Sequence, residues 1–142
     1  MQSITEELLK ELHNAKDIKA FFDSHEQDFI SETYDSYLNF MMNRNNMTIS
    51  EIAKSSGVGG YIYKIFSNER KPSRDVMMAV AFGMNLSLEE TQLLLRLSKF
   101  ALLDSRDKRD SVIIYGFINH LSVFEVDDLL EENNLRTINW YD

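Results

Sequence analysis

The sequence predicts an all-α fold, and three observations support that prediction. The 142 residues include only one proline and five glycines, so few positions interrupt a helix. Apolar residues recur at intervals of three and four along most of the chain, which is the spacing of one helix face. Capping-box patterns, in which Ser or Thr is followed three residues later by Glu, mark helix starts at Ser3, Thr48 and Ser87.

The first 33 residues are expected to form an N-terminal helical extension. A helix that begins after Ser3 carries an apolar stripe and ends near Lys16. A second short helix is predicted at about 18–22, because its apolar residues share one face. The extension therefore precedes the main domain as a small helical segment.

Residues 34–100 are expected to form the main domain, which contains five helices. Ser31 and Glu32 open the first of them, and its apolar pattern fades near Asn45. Thr48 is the N-cap of the second helix, because its hydroxyl can accept a hydrogen bond from a free backbone N–H of the first turn.

Gly57 ends this second helix, because glycine adopts the left-handed backbone that helix ends require. The third helix follows directly, with core positions at 62, 65 and 66, and leads into a loop at 68–72. Ser73 caps the fourth helix and Ser87 caps the fifth, where Glu90 completes a capping box.

Residues 101–142 are expected to form a C-terminal helical region that packs on the core or mediates oligomerisation. A charged run leads into a helix at about 111–120, which is apolar on nearly all sides and therefore buried on more than one side. The last helix begins after Ser122. Trp140 and Tyr141 either pack back on the body or take part in an oligomer contact.

Composition argues against several classes of function. There is no cysteine, so disulfides and thiolate chemistry are excluded and a cytoplasmic location is expected. No apolar run approaches the roughly 20 residues of a membrane span. His13, His25 and His120 lie far apart and lack the spacing of metal ligands. Because no phosphate-cradling glycine loop or activated serine motif occurs, we expect no enzyme and no cofactor.

The net charge of −8 is unevenly distributed along the chain. Residues 44–76 contain six basic and three acidic side chains, whereas 1–43 and 77–142 are both acidic. A single positive segment on an acidic protein favours contact with an anionic partner. Chance variation of charge within a short window is the alternative explanation.

Several features in this positive segment occur in the order of a known motif. Ala53 allows two helices to cross closely, and Gly57 supplies a turn with positive φ. Residues from about 37 to 99 thus resemble the phage-repressor-like, XRE-type helix-turn-helix family. The resemblance implies a five-helix core whose second motif helix lies in the DNA major groove. The matching residues are Ile52, Ala53, Gly57, Val58, Ile62, Ile65 and the segment 68–73.

The chain departs from this family where bases would be read. Gly59, Gly60 and Tyr61 occupy the positions that touch base edges, and the stretch containing them is one residue shorter than the common pattern. Two glycines offer no side chain to a base, although they permit close approach of the backbone. Ile49 also stands where the family often has glutamine.

The residues expected to contact DNA fall into two groups. Tyr61, Lys64 and Asn68 lie on the exposed face of the second motif helix, and four cations nearby are expected to contact phosphates. A solvated loop is the alternative for the cations, and packing is the alternative for Tyr61 and Tyr63. The full candidate set is Thr48, Lys54, Gly59, Gly60, Tyr61, Lys64, Asn68, Arg70, Lys71 and Arg74.

The expected function is a DNA-binding transcriptional regulator that acts as a homodimer. Dimerisation is expected through 111–130 with Trp140 and Tyr141, so that two motif helices meet successive major grooves. The alternative is an interaction protein that keeps the helix-turn-helix scaffold and has lost base reading. Its acidic flanks would then bind a basic protein partner such as a toxin, a kinase or another regulator.

Overall fold

The computed structural model describes residues 4–26 and 32–139. All regular structure in these two ranges is helical, without any strand, and includes nine α-helices and a 3₁₀ turn at Gly59–Tyr61. The prediction of an all-α chain is therefore confirmed for the described residues. The chain divides into two compact units, residues 1–31 and 32–142.

The first unit contains α1 (Ile4–Asn14) and α2 (Ile18–Ser24). Asp17 caps α2, because its carboxylate accepts a hydrogen bond from the backbone N–H of Lys19. α1 ends at Asn14, two residues before Lys16, near which its end was predicted. The proposed cap at Ser3 lies outside the described residues.

The second unit contains the other seven α-helices. They are α3 (Tyr34–Arg44), α4 (Ile49–Ser56), α5 (Ile62–Phe66), α6 (Arg74–Gly83), α7 (Leu88–Leu97), α8 (Lys108–Ile118) and α9 (Val123–Glu132), with the 3₁₀ turn Gly59–Tyr61 directly before α5. α6 is central and is buried from Met77 to Gly83. It packs mainly on α4 and also contacts α7 and α9, while α8 packs on α9 and α7.

Two helix starts differ from the prediction. α3 does not open at Ser31 and Glu32, because Thr33 is its N-cap and its hydroxyl accepts from the Ser36 N–H. Ser31 itself lies outside the described residues.

The second difference concerns α8, which begins at Lys108, three residues before the start expected at about Ser111 and within the charged run that was expected to start or connect to this helix. Its N-cap is Asp107, whose carboxylate accepts a hydrogen bond from the Asp110 N–H at 2.9 Å. An aspartate within the charged run therefore starts this helix.

Six helices of the second unit end in the same way. The second residue after each of them has a positive φ without being glycine, and the next N–H donates back to a carbonyl of the last turn, which is a Schellman motif. These left-handed residues are Asn46, Asn68, Asn85, Lys99, His120 and Asn134.

Glycines mark two close helix crossings. A Cβ on Gly83 of α6 would lie 2.8 Å from the Cβ of Ser56 on α4, and a Cβ on Gly116 of α8 would overlap Val126 of α9. These two crossings bring α4 and α9 close to the rest of the core. None of the helices in the described ranges is both long enough and apolar enough to cross a bilayer.

Candidate nucleic-acid interface

α4 and α5 are joined by a glycine-rich turn at residues 57–61. The capping box predicted at the start of α4 is present, since Thr48 Oγ1 accepts from the Glu51 N–H and Glu51 Oε1 accepts from the Thr48 N–H, both at 3.1 Å. α4 ends at Gly57, whose φ is +75°. Thr48 is exposed, and its hydroxyl is already used to hold the first turn of α4.

Gly59 and Gly60 lie between the two helices and carry no side chain. Both are exposed, and a Cβ added at either position would meet no atom within 4 Å. Gly59 has a φ of +72°, which favours glycine there, whereas Gly60 has an ordinary backbone. At this point the chain therefore offers backbone atoms rather than side chains to any approaching molecule.

The two tyrosines of this region point to different environments. Tyr61 is half-buried and packs against the core, whereas 54% of Tyr63 is exposed. Tyr63 is therefore better placed for contact with a partner than Tyr61, although the sequence predicts Tyr61 as the DNA contact.

An open groove runs beside α5 and has a volume of about 540 Å³. Asn39 of α3 lines it, and its Nδ2 donates to the Phe66 carbonyl at 3.0 Å. Ser67 lines the groove and was not selected from the sequence, although its place four residues after Tyr63 puts it on the same helix face. The lining residues are Asn39, Ile49, Gly60, Tyr63, Lys64, Phe66, Ser67 and Glu69.

Three of the predicted phosphate contacts lie in the last turn of α5 or in the loop that follows it. Lys64, Arg70 and Lys71 are all exposed. The Lys64 carbonyl accepts from the N–H groups of Glu69 and Arg70, at 2.9 and 3.3 Å, so these residues share one helix end. Lys71 Nζ lies 4.9 Å from the centroid of the Phe100 ring, which is a cation–π contact.

These three cations and Lys54, which is exposed on α4, form no ion pair with any residue that the structure describes. Their charge is thus not neutralised by a neighbouring carboxylate in this part of the chain. Among the described residues that line the same groove, Glu69 is the only acidic one.

Arg74 does not belong with these cations. Its guanidinium donates to both carboxylate oxygens of Asp110, at 3.2 and 3.0 Å, and to the carbonyls of Ala101 and Leu102. The side chain is 23% exposed and Asp110 is 9% exposed. Arg74 thus links α6 to α8 and to the segment before α8, and we do not include it in the surface proposed to meet DNA.

Asn68 has a structural partner as well as an exposed position. Its φ is +61°, and its Oδ1 accepts a hydrogen bond of 2.6 Å from the Tyr34 hydroxyl. Burial is the main cause that raises the pKa of the Tyr34 hydroxyl above 10.0, followed by the charges of Asp35 and Tyr61. The hydroxyl therefore stays protonated near neutral pH and donates to Asn68, which fixes the end of α5.

Comparisons with known proteins found no match, neither among models of protein families nor among curated proteins nor among solved structures. In addition, the described residues contain no group of three or more His, Asp or Glu side chains that is placed to hold a metal ion.

Proposed function

We propose that α4 and α5 form a repressor-like helix-turn-helix and that the chain is a DNA-binding transcriptional regulator. The surface that would meet DNA, called the α5 surface below, consists of Gly59, Gly60, Tyr63, Lys64, Arg70 and Lys71. The observation that carries the proposal is the group of three exposed cations at one end of α5, without an ion-pair partner among the described residues.

Phosphate contact explains this group better than general solubility does. The protein has a net charge of −8, so an acidic surface elsewhere already keeps it soluble. Each cation that neutralises a phosphate releases counterions, which gives a free-energy gain that depends on salt. The C-terminal end of a helix dipole also attracts cations, but that effect is worth only about 0.3–1 kcal/mol at an exposed site.

Base reading in this proposal differs from the family that the sequence resembles. Gly59 and Gly60 carry no side chain, so the backbone can approach the duplex closely at this point. Tyr63 and Lys64 are then the side chains nearest to base edges. We therefore expect weak sequence preference relative to phosphate-driven affinity.

The proposal includes a homodimer that places two α5 surfaces about 34 Å apart, on successive major grooves. Tyr115 and Ile118 on α8 support a dimer contact, because they lie three residues apart and are 54% and 62% exposed. Trp140 and Tyr141, which were also expected in this contact, lie outside the described residues.

The test is fluorescence anisotropy of the full chain with mixed genomic DNA at about 50 mM salt. We expect the variant Lys64→Ala, Arg70→Ala, Lys71→Ala to bind more weakly. The slope of log K against log salt should fall by about 2–3, since each lost phosphate contact removes about 0.9.

A matched variant removes the same charge elsewhere, namely Arg96→Ala, Lys99→Asn and Lys108→Ala. All three residues are exposed, and asparagine suits the left-handed backbone of Lys99. Its salt slope should stay close to that of the unaltered chain. Equal loss of slope in both variants would show that total charge, rather than the α5 surface, drives binding.

A protein-binding role is the second candidate, and two observations favour it. The two bare glycines remove side chains from the expected reading position, and Phe40 on α3 is 63% exposed. In that case the unaltered chain would not bind DNA even at low salt. It would instead form a stable complex with a basic protein, and Phe40→Ser would weaken that complex.

A further inference from the structure

The last described residues, 135–139, pass from the end of α9 to the turn that follows α4. We call this segment the C-terminal strap. Ile138 is 3% exposed and belongs to the core. Ile138 thus anchors the strap in the core of the second unit. Polar side chains bind the strap on both sides of Ile138.

Asp127 of α9 holds the end of the strap. Its two carboxylate oxygens accept hydrogen bonds from the backbone N–H groups of Ile138 and Asn139, at 2.6 and 3.1 Å. Asp127 is itself buried. Hydrogen bonds to a buried carboxylate are stronger than neutral ones, so these two bonds fix the backbone of the strap next to Asn139.

Arg109 of α8 holds the beginning of the strap. Its guanidinium donates to the carbonyls of Arg136 and Thr137, at 2.8 and 3.0 Å, and also pairs with Asp75 of α6 at 2.9 Å. The strap is therefore fixed by side chains from α8 and α9 together. Its conformation does not depend on one contact alone.

Asn139 connects the strap to the turn after α4. Its Nδ2 donates to the Ser56 carbonyl at 3.0 Å, which satisfies a carbonyl of the last turn of α4. A Cβ on Gly57 would lie 2.7 Å from the same Nδ2 and 3.1 Å from a ring carbon of Phe124. Asn139 and Phe124 therefore lie directly against the glycine that begins the turn.

Val58 and Tyr61 of the turn pack against the core, whereas its glycines contribute no side-chain contact. Gly59 and Gly60 are exposed and have open space where a side chain would be. The Val58 N–H donates to the Ser56 hydroxyl at 3.2 Å, and the Gly57 N–H donates to the Lys54 carbonyl at 3.3 Å. Because glycines reach many conformations, an external contact at Gly57 restricts a turn that contains three of them.

We propose that Asn139, held in place by Asp127, is a positioning residue for the α5 surface. It fixes the Gly57 turn and thereby the direction in which residues 59–66 leave α4. This inference rests on the proposed DNA-binding function. In this role the C-terminal region holds the α5 surface in the conformation that binds DNA, without itself touching DNA.

The test compares Asn139→Ala with Asn133→Ala in the full chain. The two changes are chemically identical. Asn133 is exposed, and among the described residues its side chain bonds only to the Leu129 carbonyl of its own helix. Hydrogen exchange is measured at the N–H groups of Gly57, Val58 and Ile62, with the N–H groups of α7 as an internal reference. DNA affinity is measured on the same samples.

We expect Asn139→Ala to raise the exchange rates of these three N–H groups about fivefold relative to those of α7. A factor of that size is expected from the loss of one neutral hydrogen bond. DNA affinity should fall by a similar factor while the salt slope stays unchanged, because the cations remain. Asn139→Asp should act like Asn139→Ala, since a carboxylate cannot donate to Ser56. Asn133→Ala should change neither quantity.

Unchanged exchange at the turn, or an equal increase at the turn and in α7, would refute the positioning role whatever DNA does. A local increase in exchange with no loss of affinity would also refute it. Failure of the proposed function has a different signature, because the unaltered chain would then not bind DNA at about 50 mM salt. In that event the exchange data still decide whether Asn139 orders the turn.

Discussion

Replacing Gly57 by alanine should destabilise the folded chain by about 2–3 kcal/mol, because two penalties act at one position. The first is backbone strain. Gly57 has a φ of +75°, and a residue with a Cβ costs roughly 1–2 kcal/mol in that conformation. The second is loss of the contact with Asn139, whose Nδ2 lies 2.7 Å from the new Cβ and must move. The hydrogen bond to Ser56 is worth about 1 kcal/mol.

A double-mutant cycle separates these two penalties. Asn139→Ala alone should cost about 1 kcal/mol, since it removes only the hydrogen bond. The double variant Gly57→Ala, Asn139→Ala should then cost about as much as Gly57→Ala alone, because the hydrogen bond is already lost. The expected coupling is therefore about 1 kcal/mol. Urea unfolding with a common m-value gives all three free energies of unfolding.

Gly60→Ala is the matched control. Gly60 lacks a positive φ, and a Cβ there would meet no atom within 4 Å. This change should be neutral or stabilise the chain by up to about 1 kcal/mol, because alanine restricts the unfolded chain. The reasoning is refuted if Gly57→Ala costs no more than Gly60→Ala. It also fails if the costs at Gly57 and Asn139 add to within about 0.3 kcal/mol.

Three other perturbations follow from contacts in the second unit. Asp110→Ala should cost roughly 3 kcal/mol in thermal or urea unfolding, because it leaves the Arg74 guanidinium without its carboxylate; a cost under about 1 kcal/mol would contradict the pairing. Gly116→Ala should cost about 1–3 kcal/mol by overlap with Val126, and adding Val126→Ala should recover part of it. Burial raises the pKa of the Tyr34 and Tyr37 hydroxyls above 10.0, so the folded state holds these protons more tightly. Stability should therefore fall as pH rises above about 10, and less so in the variant with phenylalanine at both positions.

Helix starts were predicted well where the capping chemistry is local. The boxes at Thr48 and Ser87 form as expected, because each needs only a glutamate three residues later. The start of α8 was missed, because Asp107 lies in a run of charged residues and nothing nearby distinguishes it as a cap. A cap in such a run can be identified only once the following helix is known.

The side chains near the candidate interface were harder to predict, for two physical reasons. The partner of Arg74 is Asp110, which lies 36 residues further along the chain, so no local pattern indicates that the cation is used. The exposure of Tyr61 and Tyr63 depends on the phase of a five-residue helix that follows a 3₁₀ turn. A change of one residue in that turn would rotate α5 by about 100° and change which of its side chains face the core.

The contact between Asn139 and Ser56 could not be predicted for the same reason as that of Arg74. It joins residues 83 positions apart. From the sequence the C-terminal region had two possible roles, packing on the core or oligomerisation. The structure shows that α8 and α9 pack on α6 and α7 and that residues 135–139 reach the turn after α4.

The six helix ends that are followed by a left-handed residue offer sites at which the protein can be made more heat-resistant without altering its fold. Glycine adopts that conformation with less strain than any other residue. Asn46, Asn85 and Asn134 could each be changed to glycine without losing the backbone bonds that close their helices. Asn68 is the exception, because a glycine there would forfeit the bond from Tyr34. A thermostable version for crystallography or DNA selection would therefore begin at these three positions, which are not part of the α5 surface.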